Sequence, residues 1–194
     1  MTSDLSDFVD LYIRYWIIPV WLLAGFADWV CHRRSRIEEN AGTKESAMHV
    51  AQMLEVGIPL MIALLFQINP IVIAIMVLGI VLHEFTALWD VHYAKQHRDI
   101  STIEQHIHSF LELLPICAVT LIIGVNAGEL WNTLAGGVTS DLSMSPSAVP
   151  LAYTLCVLVA AVIFAALPYT EELIRCLRYR HRASLRRAKD VPRE

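Results

Sequence analysis

The stretch Ile71–Asp90, IVIAIMVLGIVLHEFTALWD, decides how the rest of the chain is read. Its first twelve residues carry no polar side chain. At about 1.5 Å of helix rise per residue, Ile71 to Trp89 matches the ~30 Å of a bilayer's hydrocarbon core. His83, Glu84 and Asp90 then enter at or beyond mid-span, where an ionisable side chain is costly and requires a reason.

Four further stretches have the same character: Leu11 to Cys31, Val50 to Phe66, Phe110 to Val125 and Pro150 to Pro168. With 194 residues, 56% of them hydrophobic, and a mean hydropathy of +0.50, the chain reads as an all-α integral membrane protein with about five transmembrane helices. One transmembrane unit, residues 1–174, precedes a basic tail, residues 175–194. The first span follows Asp4, Asp7 and Asp10 rather than positive charge, so it is read as a mature helix and not a cleaved signal.

Orientation follows from the cations. Of 15 Lys and Arg, 14 lie in three segments: Arg33 to Lys44, Lys95 to Arg98, and Arg175 to Arg193. The alternate connections, Gln67 to Pro70 and Asn126 to Ala148, hold none. Five spans with the N-terminus outside put all three basic segments in the cytoplasm of a cell (inner) membrane. Trp16, Trp21, Trp29, Trp89, Tyr93, Trp131, Tyr153 and Tyr169 are expected to anchor span ends at the interfaces. The segment Asn126 to Pro150 reads as an outer loop with a short surface helix around Leu130 to Leu134.

On that topology four carboxylate–histidine pairs fall at the cytoplasmic ends of the first four spans: Asp28 with His32, Glu45 with His49, His83 with Asp90, and Glu104 with His108. Positions four apart on a helix differ by about 40° and positions seven apart by about 20°, so each pair shares a face. These eight residues are the expected metal ligands. Glu39, Glu55, His92, His97, His106 and Glu112 are weaker candidates for ligation or support. The competing reading for Glu38, Glu39 and Glu45 is ordinary ion pairing with Arg33, Arg34, Arg36 and Lys44. The last span has no such pair and is left out of the layer. Pro59 and Pro115 fall inside spans and are expected to kink them, which would open space beneath the metal layer for a lipid-borne substrate.

Mixed carboxylate and imidazole suits iron, manganese or zinc. The four cysteines, Cys31, Cys117, Cys156 and Cys176, have no paired spacing that would favour thiolate ligation. Four helices offering inward acids and imidazoles follow the ligand logic of dinuclear bundles, though soluble ones carry Glu-x-x-His rather than the Asp-x-x-x-His and Glu-x-x-x-His found here. In topology and histidine count the chain resembles the membrane desaturases and hydroxylases, which bind two irons at the cytoplasmic ends of transmembrane helices. It lacks their adjacent His-His pairs; His106-Ile107-His108 comes nearest.

The leading expectation is therefore a membrane enzyme with two metal ions, most simply iron, oxidising a lipid or other hydrophobic substrate with electrons from a cytoplasmic donor. A zinc hydrolase is the first alternative. A metal transporter, metal sensor or haem electron carrier is the second. No nucleic-acid partner is indicated.

Overall fold

The computed structural model describes residues 2–136 and 144–189, and among them it is helical throughout, with one isolated bridge between Phe66 and Pro146 and no strand. Helix α1 comprises Thr2–Tyr12, a π turn at Ile13–Ile17, and Ile18–Ser35. After a 3₁₀ turn at Ile37–Glu39 come α2 (Gly42–Leu65), α3 (Pro70–Ala94), α4 (Thr102–Val125) and the short α5 (Ala127–Leu134). Helix α6 runs through Leu151–Ala161, a second π turn at Val162–Ala166, and Leu167–Lys189. All but α5 are long and apolar enough to cross a membrane.

Both π turns have the same cause. Pro19 and Pro168 lack the N–H that would close the regular ladder, and the residue before each donates instead to the carbonyl five positions back: Ile18 to Ile13, and Leu167 to Val162. The widened turn lets the helix continue. Pro168 therefore does not end the last span, and α6 extends through the basic tail as far as Lys189. The sequence reading drew the last span only as far as Pro168.

Caps and close packing fix the remaining elements. Asn69 accepts from the Val72 amide at 2.9 Å ahead of Pro70, and Ser101 accepts from the Glu104 amide at 3.2 Å. Helix α2 packs along α3, and α1 packs along α4. The α2–α3 contact is tightest where Pro59 interrupts α2: a Cβ on Gly79 would meet the Glu55 carbonyl, and would lie 2.6 Å from Pro59 Cγ. Helix α6 meets α2 chiefly along Leu167–Lys189 and only sparsely along its first half.

Two small apolar clusters fill the half of the molecule away from the basic loops. Ile18, Leu22, Leu64 and Val157 form one; Val72, Met76 and Val119 form the other. The short α5 covers the region expected around Leu130 to Leu134, while the 137–143 part of that loop lies outside the described residues. Trp16, Trp89 and Trp131 are exposed, as anchors would be. Tyr169 is not: it is buried, with its hydroxyl 3.3 Å from the Gly25 carbonyl, because the continued helix turns it inward.

Candidate metal centre

At the end of the molecule carrying the basic loops, five helices bring acids and imidazoles into one buried layer. Helix α1 supplies Asp28 and His32, α2 supplies Glu45 and His49, α3 supplies Asp90, α4 supplies Glu104 and His108, and α6 supplies Glu172. All are buried except His108, which is largely so. His32, Glu45, Glu104 and Glu172 are among the most completely enclosed side chains described.

Glu172 sits between two imidazoles. Its Oε2 lies 3.0 Å from His32 Nδ1 and its Oε1 lies 2.8 Å from His49 Nδ1. An ionised carboxylate only accepts, so each Nδ1 donates to it, which turns both Nε2 atoms toward the layer. The two rings stack with centroids 4.3 Å apart and 10° between their planes.

Each Nε2 then faces its own acids. His32 Nε2 is 3.4 Å from Asp28 Oδ1 and 3.4 Å from Glu104 Oε1. His108 Nε2 approaches Asp28 Oδ1 at 2.9 Å, yet neither His32 Nε2 nor Asp28 Oδ1 makes a hydrogen bond. Buried polar atoms that converge without hydrogen-bond alignment match donors aimed at a common ion rather than at one another. On the other side, His49 Nε2 is 3.1 Å from Asp90 Oδ2 and 4.0 Å from Glu45 Oε1, and Gln52 donates to Asp90 at 3.3 Å. Two groups have ligand atoms close enough to hold a metal ion: Asp28, His32, Glu104 and His108, all within 4.8 Å of one another, and His32, Glu45 and His49 by the same measure.

Arg98 closes the layer toward the loops. Its Nη2 lies 2.5 Å from both Glu45 Oε1 and Glu104 Oε1, with the side chain 3% exposed. Burial works against its charge, but the hydrogen bonds to Glu104 and Glu45 outweigh that and hold its pKa above the ordinary arginine value. Of the loop acids, Glu39 pairs as the competing sequence reading has it, while Glu38 and Glu45 pair elsewhere. Glu45 pairs with Arg98, Glu38 with Arg175 from α6, and Glu39 with Arg36 at 3.7 Å on the exposed surface.

Of the eight expected ligands, seven meet in this layer and His83 does not. It lies seven residues, or about 10 Å of helix, deeper than Asp90 on the same face of α3. His83 instead lines a cavity of about 400 Å³ directly beneath the layer, whose wall also includes Asp28, His49, Gln52, Asp90, His108, Glu112 and Tyr169 and is otherwise apolar. Among the weaker candidates, Glu55 accepts from Thr86 at 2.8 Å, apart from the layer. His92, His97 and His106 are exposed, beside Gln96, the Tyr93 carbonyl and Phe110 respectively. Pro59 and Pro115 line a different cavity, of about 310 Å³, in the opposite half.

Sequence reasoning missed Glu172, Tyr169 and the bridging role of Arg98. Glu172 has no histidine one turn away, and it lies beyond the apolar span drawn to Pro168. The available signal was an acidic pair, Glu171-Glu172, one turn past a span end on the same side as the other acids.

Compared with known proteins, the chain matches no family model, no curated sequence and no solved structure. The functional reading therefore rests on the residues themselves.

Proposed function

We propose that the chain is an integral membrane protein whose layer of acids and histidines holds two metal ions at the cytoplasmic face, and that it oxidises a hydrophobic substrate lodged in the cavity below. The observation that carries this reading is the convergence of His32 Nε2 and Asp28 Oδ1, neither of them in hydrogen-bond geometry, with Glu104 and His108 immediately above an apolar cavity. Charge supports the count of two. With neutral imidazoles, five carboxylates against the single Arg98 guanidinium leave four negative charges buried, which two divalent cations would balance.

Asp28, His32, Glu104 and His108 would hold one ion, and Glu45 and His49 the other, with Asp90 beside His49 Nε2. Iron suits these donors and, when bound, would supply oxygen activation at an open position. The chain's own residues do the rest. Glu172 fixes the tautomer and orientation of His32 and His49 together, as outer carboxylates do for ligating histidines. Tyr169 shares its one hydroxyl proton between Asp28 Oδ2 at 3.4 Å and the Gly25 carbonyl at 3.3 Å. Arg98 pairs with both Glu45 and Glu104 where the layer meets the loops and covers them on that side. Gln52 steadies Asp90. The cavity presents hydrocarbon to the ligand edge formed by Asp28, His49, Asp90 and His108.

The same donors would hold zinc, making a hydrolase the second reading. A haem carried between His32 and His49 fits poorly, because their rings already stack at 4.3 Å. Transport fits poorly as well, since the polar layer gives way to an apolar cavity and apolar clusters. The test is elemental analysis of protein purified without added metal, with Mössbauer spectra of an iron-57 preparation. Two irons per chain, lost in a His32→Ala, His108→Ala double variant, support the proposal. Stoichiometric zinc moves the reading to the hydrolase, and no bound metal overturns both.

A further inference from the structure

The histidine that stays out of the metal layer has no partner of its own. His83 lies near the middle of α3, about 19 Å of helix from Pro70 and about 16 Å from Ala94, at the depth where a membrane is driest. It is 5% exposed, and neither Nδ1 nor Nε2 has a hydrogen-bond partner among the described residues. The Gln52 backbone carbonyl approaches the ring outside hydrogen-bond geometry. A buried imidazole left unsatisfied in hydrocarbon is a standing cost unless something that visits the site completes it.

The cavity supplies the place for a visitor. His83 forms part of the wall of the ~400 Å³ space, with Met53, Leu60, Met61, Leu111 and Ala165 around it. Several wall residues also remain exposed on the outer surface of the protein: Leu54, Ile58 and Leu65 of α2, and Leu158 and Val162 of α6. These two helices pack closely only along the second half of α6, so the side wall opens between them toward the lipid. That exposed apolar lip is where a molecule dissolved in a bilayer would enter.

We infer that this cavity binds an apolar chain or ring compound bearing one uncharged hydroxyl, with His83 as the residue that recognises the hydroxyl. A neutral imidazole offers one donor and one acceptor, and a hydroxyl both donates and accepts. An anionic head group is disfavoured by Asp28, Asp90 and Glu112 in the same wall. A cationic one would be drawn to those acids, leaving His83 unpaired. Because His83 lies about 10 Å below Asp90, a hydroxyl held there presents a different part of the molecule to the metal layer, which sets the position at which it would react. The inference deepens the function proposed above by naming the substrate's chemistry. It rests on that reading for the reaction, but not for the binding.

The test uses the full chain in lipid nanodiscs, with dodecanol carrying a mid-chain diazirine as photoaffinity probe and 1-dodecanol or dodecane as competitor. Labelling is expected on cavity residues such as Met53, Met61 and Leu111. One added hydrogen bond predicts that 1-dodecanol competes about tenfold better than dodecane. In His83→Phe the two should compete equally, and in His83→Gln, which keeps a donor and an acceptor, the preference should persist. Labelling confined to lipid-facing residues such as Phe85 and Leu88, equal competition in the unaltered chain, or an undiminished preference in His83→Phe would each overturn the inference. Metal content is measured on the same samples. A chain that binds the alcohol selectively without metal upholds the ligand site and defeats the metal proposal, and the converse result does the opposite.

Discussion

Replacing Glu172 by Gln tests whether this residue organises the metal layer, and Glu171 beside it provides the control. Glu172 accepts from His32 Nδ1 and His49 Nδ1 with its two separate oxygens. A Gln amide has one oxygen and one NH₂, so it can accept from only one imidazole and must turn a donor toward the other. That imidazole either rotates or shifts its proton to Nε2, where the proton occupies the lone pair that would bind a metal. Losing an outer carboxylate of this kind lowers metal affinity about 10- to 100-fold, or roughly 1.4–2.7 kcal/mol. Glu171 instead accepts from Trp29 at 3.0 Å and Arg33 at 2.8 Å at the surface. Glu171→Gln should leave affinity within about twofold, as befits an exposed ion pair. The assay is competition against a chelator of known affinity, with bound metal counted by mass spectrometry. Equal affinities for the two variants would refute the claim that Glu172 orients the ligands. Weakening in Glu171→Gln alone would point to a surface effect on the helix instead.

Other outcomes follow from the same geometry. Gly79→Ala should destabilise by about 1–3 kcal/mol or more, because its methyl meets Pro59 and the Glu55 carbonyl, whereas Gly57→Ala, with open space around it, should be neutral or slightly stabilising; thermal unfolding in detergent compares them. Arg98→Ala should cost about 3 kcal/mol in metal-stripped protein by leaving Glu45 and Glu104 unpaired, and less in metal-loaded protein, so the melting-temperature gap between the two forms should widen. Cysteines placed at the exposed positions Gln96 and Ala148 test the proposed orientation: an impermeant maleimide should label Ala148→Cys in intact cells and Gln96→Cys only after permeabilisation.

How much was legible from sequence divides along two coordinates of a helix. Angle was readable: one turn separates Asp28 from His32, Glu45 from His49 and Glu104 from His108, and each pair does face one layer. Depth was less so. His83 and Asp90 share a face, yet two turns place one in the layer and the other in the cavity below it. Five long apolar helices were also evident from hydropathy, since length and composition suffice for that. What the span bounds did not show was the helix beyond Pro168. Pro168 is absorbed by a π turn, a backbone adjustment with no side-chain signature, and with it α6 carries Tyr169 and Glu172 into the layer. Nor can spacing reveal that Arg98, from a loop, reaches two acids on different helices.

The contribution of α6 changes what the arrangement can do. Four helices with aligned acids would make two half-sites whose separation depends on loops. Glu172 ties the half-sites together through His32 and His49, so that neither imidazole can turn without the other losing its acceptor. The same helix forms one lip of the lateral opening through Leu158 and Val162, about three to four turns from Glu172 along its length. One rigid element therefore touches both the ligand histidines and the route by which a hydrophobic molecule would arrive. On the function proposed above, a displacement of α6 that widened the opening would also move both imidazoles, and substrate entry would then be coupled to the geometry of the layer.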